Sequence, residues 1–325
     1  MEKHGIRYCK QCGNRLHLNG RQLNGRQRWR CRTCGTARVQ SRPDVSSRNQ
    51  LKGFVSYLLG FQARKHTALI RSNPYEDCWL IMPEPVVTGE IYDYIVIDAT
   101  RVGDKVVAVA RSSSHCLIWQ YGEREDTVLW LRTLRALPPP RAVVCDGQKG
   151  ILKAIAVLWP DAVIQRCHVH VRRNIRTKLT LRPQSEAGKD LSWLVRSLKY
   201  VANEHDMAVF IALFDCLYDA HRVFLNEKTV NLGSTTRKKW WYTHRSVRSA
   251  YRQIDALITA GQLFAFILHP ELHLPSQTNQ VEGGINSPIQ ELLYRHRGMT
   301  QTHQQRLVDW YLDSRTEYPY FTRKR

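Results

Sequence analysis

Two pairs of cysteines lie near the beginning of the sequence. Cys9 and Cys12 form one CxxC pair, Cys31 and Cys34 form the other, and 18 residues separate the two pairs. Each pair is followed by a glycine, which lets the backbone turn sharply and aim amide groups at the sulfur atoms. Four thiolates at this spacing are typical of a closed tetrahedral zinc site, and four free or redox-active thiols are the alternative. We therefore predict a Zn²⁺-binding ribbon.

The segment between the cysteine pairs is basic. It carries five arginines, one tryptophan and two Asn-Gly turn signals, which predict a short hairpin with a basic edge. Arg26, Arg28 and Arg30 are the candidate phosphate contacts on that edge, and a solvated basic face is the alternative.

Two aspartates follow apolar runs in the middle of the chain. Asp98 closes the run YIVI and Asp146 closes the run AVVC, so we expect both carboxylates at the ends of buried strands. Each aspartate taken alone is as often a turn residue. If the two strands are neighbours in the sheet, the pair can share a divalent ion, as two-metal phosphoryl transfer requires.

A third motif, RCHVHVRRNI, combines a thiol, imidazoles and arginines. We place Cys167 and His170 at the end of a strand that leads into a basic helix. A catalytic zinc site lacks further ligands at suitable spacing, and cysteine-protease chemistry lacks an orienting signature. The role that fits best is a structural or DNA-positioning one, with Cys167 packed in the core, and an ordinary buried histidine is the alternative for His170.

Aromatic and basic residues alternate in RKKWWYTHRSVRSAYR, residues 237–252. Here Lys238, Lys239, Trp240 and Trp241 suit stacking on an unpaired base beside a charged backbone. Burial of the tryptophans in a core is the alternative.

The pattern around these residues indicates the elements that must position them. YDYIVIDAT, KVVAVAR and HCLIWQYGE predict an antiparallel meander, and the next helix should pack with Val128, Leu131, Leu134 and Leu137 on one face. Strand, helix and strand then follow, and a long segment with helical periodicity comes after them. Near the N-terminus a helix capped by Ser47 and ended by Gly60, with a second through residues 67–71, predicts a helix-turn-helix, although linker helices fit equally well.

Composition narrows the class of partner. The 325 residues carry a formal net charge of +21, which favours a polyanion, and nucleic acid is the leading candidate. We expect no membrane segment, because no apolar run approaches the length of a bilayer span, and a cytoplasmic, nucleoid-associated location. Nine cysteines suit a metal site in a reducing compartment better than a disulfide framework.

Four motifs together carry a resemblance to a known family. VIDAT, VVCDGQKG, QRCHVHVRRNI and TNQVEGGINSPIQELLYRHRGM resemble the DDE transposases of bacterial insertion sequences, of the Mutator-like class, over residues 92 to about 312. The resemblance implies an RNase H-like α/β core with an all-helical insertion and a catalytic triad of Asp98, Asp146 and Glu282. Either Asn279 or Ser287 caps the helix that carries or follows Glu282.

The resemblance also implies chemistry and partners. The triad would hold Mg²⁺ or Mn²⁺, with Asp98 bridging two ions, Asp146 on one and Glu282 on the other. The enzyme would cleave element ends and join the 3′-hydroxyls to target DNA, as a homodimer or higher oligomer on double-stranded DNA. Arg172, Arg173 and Arg297 within the family motifs are the further candidate DNA contacts.

The expected domain order follows from these assignments. The predicted parts are a zinc ribbon, a helix-turn-helix with linker, the first part of the core, the all-helical insertion, and the final core helices with a basic tail: 1–45, 46–90, 91–180, 181–275 and 276–325. A non-catalytic zinc-ribbon DNA-binding regulator and a structure-specific RNase H-like nuclease are the alternative functions.

Overall fold

The computed structural model describes most of the chain, in two compact units, Met1–Leu80 and Ile81–Arg325. The described residues are 7–23, 25–39, 43–60, 75–230, 239–278 and 281–320. Side chains are described for these residues except 43–46 and 282. The chain is a mixed α/β protein, as predicted. Among the described helices, none combines the length and apolar character of a membrane span.

The first unit begins with a three-stranded antiparallel sheet. Its strands, in spatial order, are β1 (Leu16–Arg21), β2 (Gln27–Cys31) and β3 (Ala37–Val39). The predicted hairpin is therefore present. Side chains alternate along β2, because successive residues of a strand point to opposite faces: Trp29 and Cys31 are buried while Arg28 and Arg30 are exposed.

A helix follows this sheet. Helix α1 (Pro43–Leu59) ends before Gly60 as predicted, but it begins at Pro43 and not after Ser47. Proline is well suited to a first helical turn, where its missing N–H has no partner to lose. Phe54 and Leu58 of α1 are buried, and Phe54 packs on Trp79 of the short helix α2 (Glu76–Trp79), with ring centroids 4.8 Å apart. The second helix of the predicted helix-turn-helix lies outside the described residues.

A five-stranded mixed sheet is the centre of the second unit. Its strands along the chain are β4 (Tyr94–Val102), β5 (Lys105–Arg111), β6 (Cys116–Gly122), β7 (Ala142–Cys145) and β8 (Val163–Arg166). The spatial order is β6-β5-β4-β7-β8. The pairs β4–β5 and β5–β6 are antiparallel, which confirms the predicted meander, whereas β4–β7 and β7–β8 are parallel.

Two helices cover one face of this sheet. They are α3 (Thr127–Leu134), capped by the Asp126 side chain, and α4 (Lys149–Leu158). Their apolar residues form one core with the strands. The predicted buried face of α3 was wrong at Val128, which is 70% exposed, because Leu129, Trp130 and Thr133 turn toward the sheet in its place.

A helical region follows β8. Its helices are α5 (His168–Leu179), α6 (Glu186–Ser197), α7 (Glu204–Ala220), α8 (Arg222–Asn226), α9 (Arg245–Thr259) and α10 (Ala265–Leu268). They share one apolar core. The prediction that this region is all-helical was wrong in one place, because β9 (Lys228–Val230) and β10 (Trp240–Tyr242) form an antiparallel ribbon of β-branched and aromatic residues.

The chain returns to the sheet through a π-helical turn, Glu282–Asn286, that leads into α11 (Ser287–Arg295); α12 (Gln301–Asp313) follows. Pro288 explains part of this geometry. It has no N–H to donate to the carbonyl of Gly284 four residues earlier. The hydroxyl of Tyr311 donates to that carbonyl instead, at 2.8 Å. The predicted cap at Ser287 is not needed, because the preceding residue, Asn286, already has helical dihedral angles. The other predicted cap, Asn279, lies outside the described residues.

Candidate active site

Asp98 and Asp146 lie side by side on neighbouring parallel strands. Val96 of β4 is in register with Val144 of β7, so the register places Asp98 level with Asp146, the first residue after β7. Asp98 was expected at a strand end, but it lies within β4, which continues to Val102 through its pairing with β5. The end of β7 therefore lies level with the middle of β4 at this site.

Both carboxylates are buried and held by hydrogen bonds. Asp98 is 7% exposed and Asp146 is 8% exposed. The backbone N–H of Ala99 donates to Asp98 Oδ1 at 2.9 Å, and Asn286 Nδ2 donates to Asp98 Oδ2 at 2.9 Å. The backbone N–H of Gln148 donates to Asp146 Oδ1 at 2.9 Å. These bonds orient the two carboxylates before any ligand is bound.

A buried arginine holds the backbone behind Asp146. Arg166 Nη2 and Nε donate to the carbonyl oxygen of Asp146 at 2.8 and 3.2 Å. Gly147 makes this approach possible, since it has a φ of +74° and any Cβ there would overlap the Arg166 guanidinium. The turn after β7 thus depends on a glycine for both its conformation and its space.

Glu125 adds a third acidic group to this edge. Its carboxylate accepts hydrogen bonds from Trp130 Nε1 at 3.2 Å and Gln148 Nε2 at 3.0 Å. Burial, followed by the negative charges of Asp146 and Asp98, raises the pKa of Glu125 to about 7. A carboxyl group with this pKa lies within electrostatic reach of both aspartates, which is the situation that a bound cation would relieve.

Cys167 and His170 also border the aspartate pair. The predicted strand end was wrong, because β8 ends at Arg166 and helix α5 begins at His168; Cys167 is the N-cap residue and His170 lies in the first turn. Hydrogen bonding with the Cys167 sulfur, together with the charges of Cys167, Asp98 and Asp146, raises the pKa of His170. An imidazole that carries a proton beside two carboxylates can bind a phosphate oxygen.

Glu282 is the first residue of the π-helical turn, in the same turn as Asn286. The turn contacts β4, the strand that carries Asp98. The Glu282 side chain lies outside the described part of the structure, so the convergence of the three carboxylates remains a prediction.

Part of the sequence is similar to known proteins. Residues 89–228 match the model of "Transposase, Mutator family". This region is similar to the transposase domain of the Mutator family. The chain is also 27% identical over 130 residues to the transposase for insertion sequence element IST2 of Acidithiobacillus ferrooxidans. That alignment covers 38% of this chain and 41% of the relative, so the chain spans less than half the length of that protein.

The match covers part of the site. The matched region, residues 89–228, includes Asp98, Asp146 and the Cys167–His170 motif, whereas Glu282 and Asn286 lie beyond it. The assignment of Glu282 therefore depends on the sequence motif and on the position of the π-helical turn.

The four N-terminal cysteines meet the requirements of a zinc site. Their sulfur atoms all lie within 4.8 Å of one another, with Cys9–Cys34 and Cys12–Cys31 separations of 3.5 Å. Four sulfurs about 2.3 Å from one zinc ion would be about 3.8 Å apart in a tetrahedron. A hydrogen bond with Thr36 lowers the pKa of the Cys34 thiol to about 6, whereas the hydrogen bond with Cys34 raises the pKa of the Cys12 thiol to about 11. Zinc binding would ionise both thiols. Among the described residues, no other group of three or more His, Cys, Asp or Glu side chains brings its ligand atoms this close together.

The pair Asp98 and Asp146 fits a harder ion than zinc. Carboxylate and amide oxygens are the ligands that Mg²⁺ and Mn²⁺ prefer. Asp98 and Asp146 present such oxygens at one edge, and the buried Oδ1 of Asn286 has no hydrogen-bond partner in the described structure. When bound, divalent ions would activate an attacking oxygen and stabilise a leaving oxygen.

The predicted DNA contacts lie at several places. Arg28 and Arg30 are exposed on β2 and Arg26 precedes it; Arg173 is exposed on α5, with Arg172 half-buried; Arg297 is exposed after α11. Lys239 and Trp240 are exposed, Trp241 is half-buried on β10, and Lys238 lies outside the described residues. The ammonium group of Lys228 lies 4.4 Å from the centroid of the Trp240 ring. The β9–β10 ribbon thus carries exposed aromatic and basic groups together, and the tryptophans are not core residues.

Three residues of the site were missed in the sequence. Glu125 follows β6, which runs in the same direction as β4 and so ends at the same edge of the sheet as β7. Asn286 lies four residues after Glu282 in the same sequence motif. These two positions carried a signal once the strand order was known. Arg166 carried none, because an arginine at the end of a strand is more often a surface residue.

Proposed function

We propose that this chain is a DNA transposase that cleaves the ends of an insertion sequence and joins the 3′-hydroxyls to target DNA by two-metal-ion phosphoryl transfer. The observation that carries the proposal is the level placement of Asp98 and Asp146 on adjacent parallel strands, inside a region that matches the Mutator family. The strand order β6-β5-β4-β7-β8, with two antiparallel and two parallel pairings, supports an RNase H-like core.

The two reaction steps place separate demands on the chain. In the first, water attacks a phosphodiester, the bond from phosphorus to the 3′-oxygen breaks, and a 3′-hydroxyl is released. In the second, that hydroxyl attacks a target phosphodiester and displaces a target 3′-hydroxyl. Asp98, Asp146 and Glu282 would hold the Mg²⁺ ions, and His170 would bind a non-bridging oxygen of the phosphate under attack.

DNA binding is part of the same proposal. The net charge of +21 favours the phosphate backbone, and the zinc ribbon presents Arg28 and Arg30 on one face of β2. The reaction pairs two element ends, so we propose a homodimer or larger assembly on DNA. The basic ribbon β9–β10 would contact distorted or unpaired DNA at those ends.

The decisive experiment uses purified protein and a plasmid that carries the gene with its native flanking DNA. Cleavage at the flanks and joining to a second plasmid, both dependent on Mg²⁺ or Mn²⁺, are expected. Asp146→Asn should abolish both steps while DNA binding persists. Asp161→Asn is the matched control, since Asp161 is an exposed aspartate of the same domain. Cleavage without joining would indicate a nuclease, and DNA binding without either step would indicate a regulator.

A further inference from the structure

An amide side chain is packed against one of the two buried carboxylates. Asn286 is 9% exposed, and its Nδ2 donates to Asp98 Oδ2 at 2.9 Å. The Oδ1 atom of the same side chain is buried and has no hydrogen-bond partner in the described structure. A buried carbonyl oxygen without a hydrogen-bond partner destabilises the folded protein, because it has lost its bonds to water. Buried polar atoms without a hydrogen-bond partner are rare in folded proteins, so the position of Asn286 Oδ1 calls for an explanation.

The amide cannot relieve the cost by turning over. An ionised carboxylate only accepts hydrogen bonds, so a flipped amide would press Oδ1 against Oδ2 of Asp98. Asp98 therefore fixes the orientation of the Asn286 amide and leaves its Oδ1 as the atom without a partner.

The backbone around Asn286 is fixed from several directions. The Tyr311 hydroxyl holds the carbonyl of Gly284 within the π-helical turn. One turn further on, Gln290 Nε2 donates to Thr100 Oγ1 at 3.0 Å and to the carbonyl of Arg101 at 2.8 Å, both on β4. The π-helical turn is thus bonded to α12 before Asn286, and the next helical turn is bonded to β4, the strand that carries Asp98, after it. Single π-helical turns of this kind occur frequently at functional sites.

We propose that Asn286 is a further ligand of the catalytic divalent ion, with its Oδ1 bound to the ion that Asp98 also holds. This inference rests on the proposed function. An amide oxygen is an ordinary ligand for Mg²⁺ or Mn²⁺ and adds no negative charge to an edge that already holds Asp98, Asp146 and Glu125. The same side chain would therefore orient Asp98 through Nδ2 and complete the metal site through Oδ1.

Binding of Mn²⁺ to the full-length, zinc-loaded protein tests the inference without any DNA. Free Mn²⁺ is measured by electron paramagnetic resonance during titration, and Mn²⁺ does not displace zinc from thiolates because it binds more weakly. We expect Asn286→Leu to weaken Mn²⁺ binding by about 10-fold to 100-fold. Asn174→Leu is the matched control, since Asn174 is exposed on α5, and it should bind as the parent does.

A second variant separates a ligand from a residue that only orients Asp98. Asn286→Asp retains an oxygen but loses the Nδ2 donor and places a charge beside Asp98. A ligand role predicts that Asn286→Asp binds Mn²⁺ at least as tightly as the parent and gains more thermal stability from Mn²⁺ than the parent does. Binding by Asn286→Asp as weak as that of Asn286→Leu would overturn the inference.

The remaining outcomes distinguish this inference from the proposed function. Asp98→Asn should lose Mn²⁺ binding. If Asp98→Asn loses binding while Asn286→Leu retains the parental affinity, the aspartate site stands and the Asn286 inference is overturned. If Asp98→Asn binds Mn²⁺ as the parent does, the metal is held elsewhere and both proposals fail together.

Discussion

The sulfur atom of Cys167 accepts two hydrogen bonds from Thr278, a residue 111 positions later in the chain. The backbone N–H of Thr278 lies 3.3 Å from Sγ, and the Thr278 hydroxyl lies 3.2 Å from it. Both residues are fully buried. Cys167 precedes the helix that carries His170, and Thr278 precedes the turn that carries Glu282. The thiol therefore fastens the returning segment beside the aspartate pair.

We expect Cys167→Ala to destabilise the protein by about 1–3 kcal/mol, because two buried donors lose their acceptor. Cys116→Ala is the matched control: Cys116 is also buried, and its sulfur contacts one carbonyl, that of Ala110, at 4.0 Å. Urea denaturation measures both variants. An equal loss of stability in the two variants would show that the Thr278 bonds contribute nothing beyond the volume of the thiol.

Replacing Gly147 tests the support behind Asp146. Gly147→Ala combines an unfavourable positive φ, which costs about 1–2 kcal/mol, with displacement of Arg166. Gly89→Ala isolates the first effect, since Gly89 has a φ of +77° and open space around it. Chemical denaturation should show a clearly larger loss for Gly147→Ala, which should also lower the affinity for Mn²⁺. Equal losses would contradict the role given to Arg166.

The pH dependence of stability should reveal Glu125. Its pKa in the folded protein is about 7, above its ordinary value of 4.5, so the folded state holds the proton more strongly than the unfolded state. Stability from this group is complete below about pH 4.5 and is lost as the pH rises toward 7. Glutamine does not ionise, so Glu125→Gln should not lose this stability as the pH rises. In metal-free buffer, the melting temperature of Glu125→Gln relative to the parent should rise between these two pH values.

Glu123→Gln is the control for this experiment, because Glu123 is an exposed acid two residues earlier with a surface ion pair to Lys105. Its melting temperature relative to the parent should stay constant over the same range. A constant difference for Glu125→Gln as well would remove Glu125 from the acidic edge.

Zinc should be bound at one ion per chain through the four N-terminal cysteines. The double variant Cys9→Ser, Cys31→Ser should lose the ion, because two thiolates do not complete a tetrahedral site. Cys216→Ser, at an exposed free cysteine, should retain it. Elemental analysis after dialysis without chelator measures each protein. Zinc retained by the double variant would refute the site.

The arginines of β2 should contribute to DNA affinity through charge. Replacing Arg28 and Arg30 together by glutamine should reduce the slope of log affinity against log salt by about two, because each arginine neutralises one phosphate and each glutamine neutralises none. Replacing both by lysine retains the charge and should leave the slope unchanged. Fluorescence anisotropy on a duplex at several salt concentrations measures both, and an unchanged slope in the glutamine variant would place these arginines away from DNA.

Some expectations from sequence failed for one recurrent reason. Val128 fits a helical face by its spacing, but Leu129 is buried in its place. The side of a helix that is buried depends on where the sheet packs against it, and the periodicity of apolar residues does not reveal this. The region that was predicted to be all-helical contains a ribbon, because Thr229 pairs with Trp241. The two residues lie apart in the sequence, and no local pattern reveals that they pair. Cys167 ends no strand because α5 begins immediately after it.

Short-range features were decided by the sequence alone. The spacing of Cys9, Cys12, Cys31 and Cys34 predicted a cluster because four thiols on two tight turns can meet in few other ways, and the sulfurs do lie together. The apolar runs before Asp98 and Asp146 predicted buried strands because such runs must leave water.

The tertiary structure decided which of these residues meet. Asp98 and Asp146 are level because β4 and β7 pair in parallel in one register, and a shift by one residue would have placed one carboxylate on the opposite face. Asn286 faces Asp98 because Pro288 and Tyr311 favour a π-helical turn at that point. Long-range pairing is chosen by the total burial and hydrogen bonding of the whole chain, and no local stretch of sequence contains that sum.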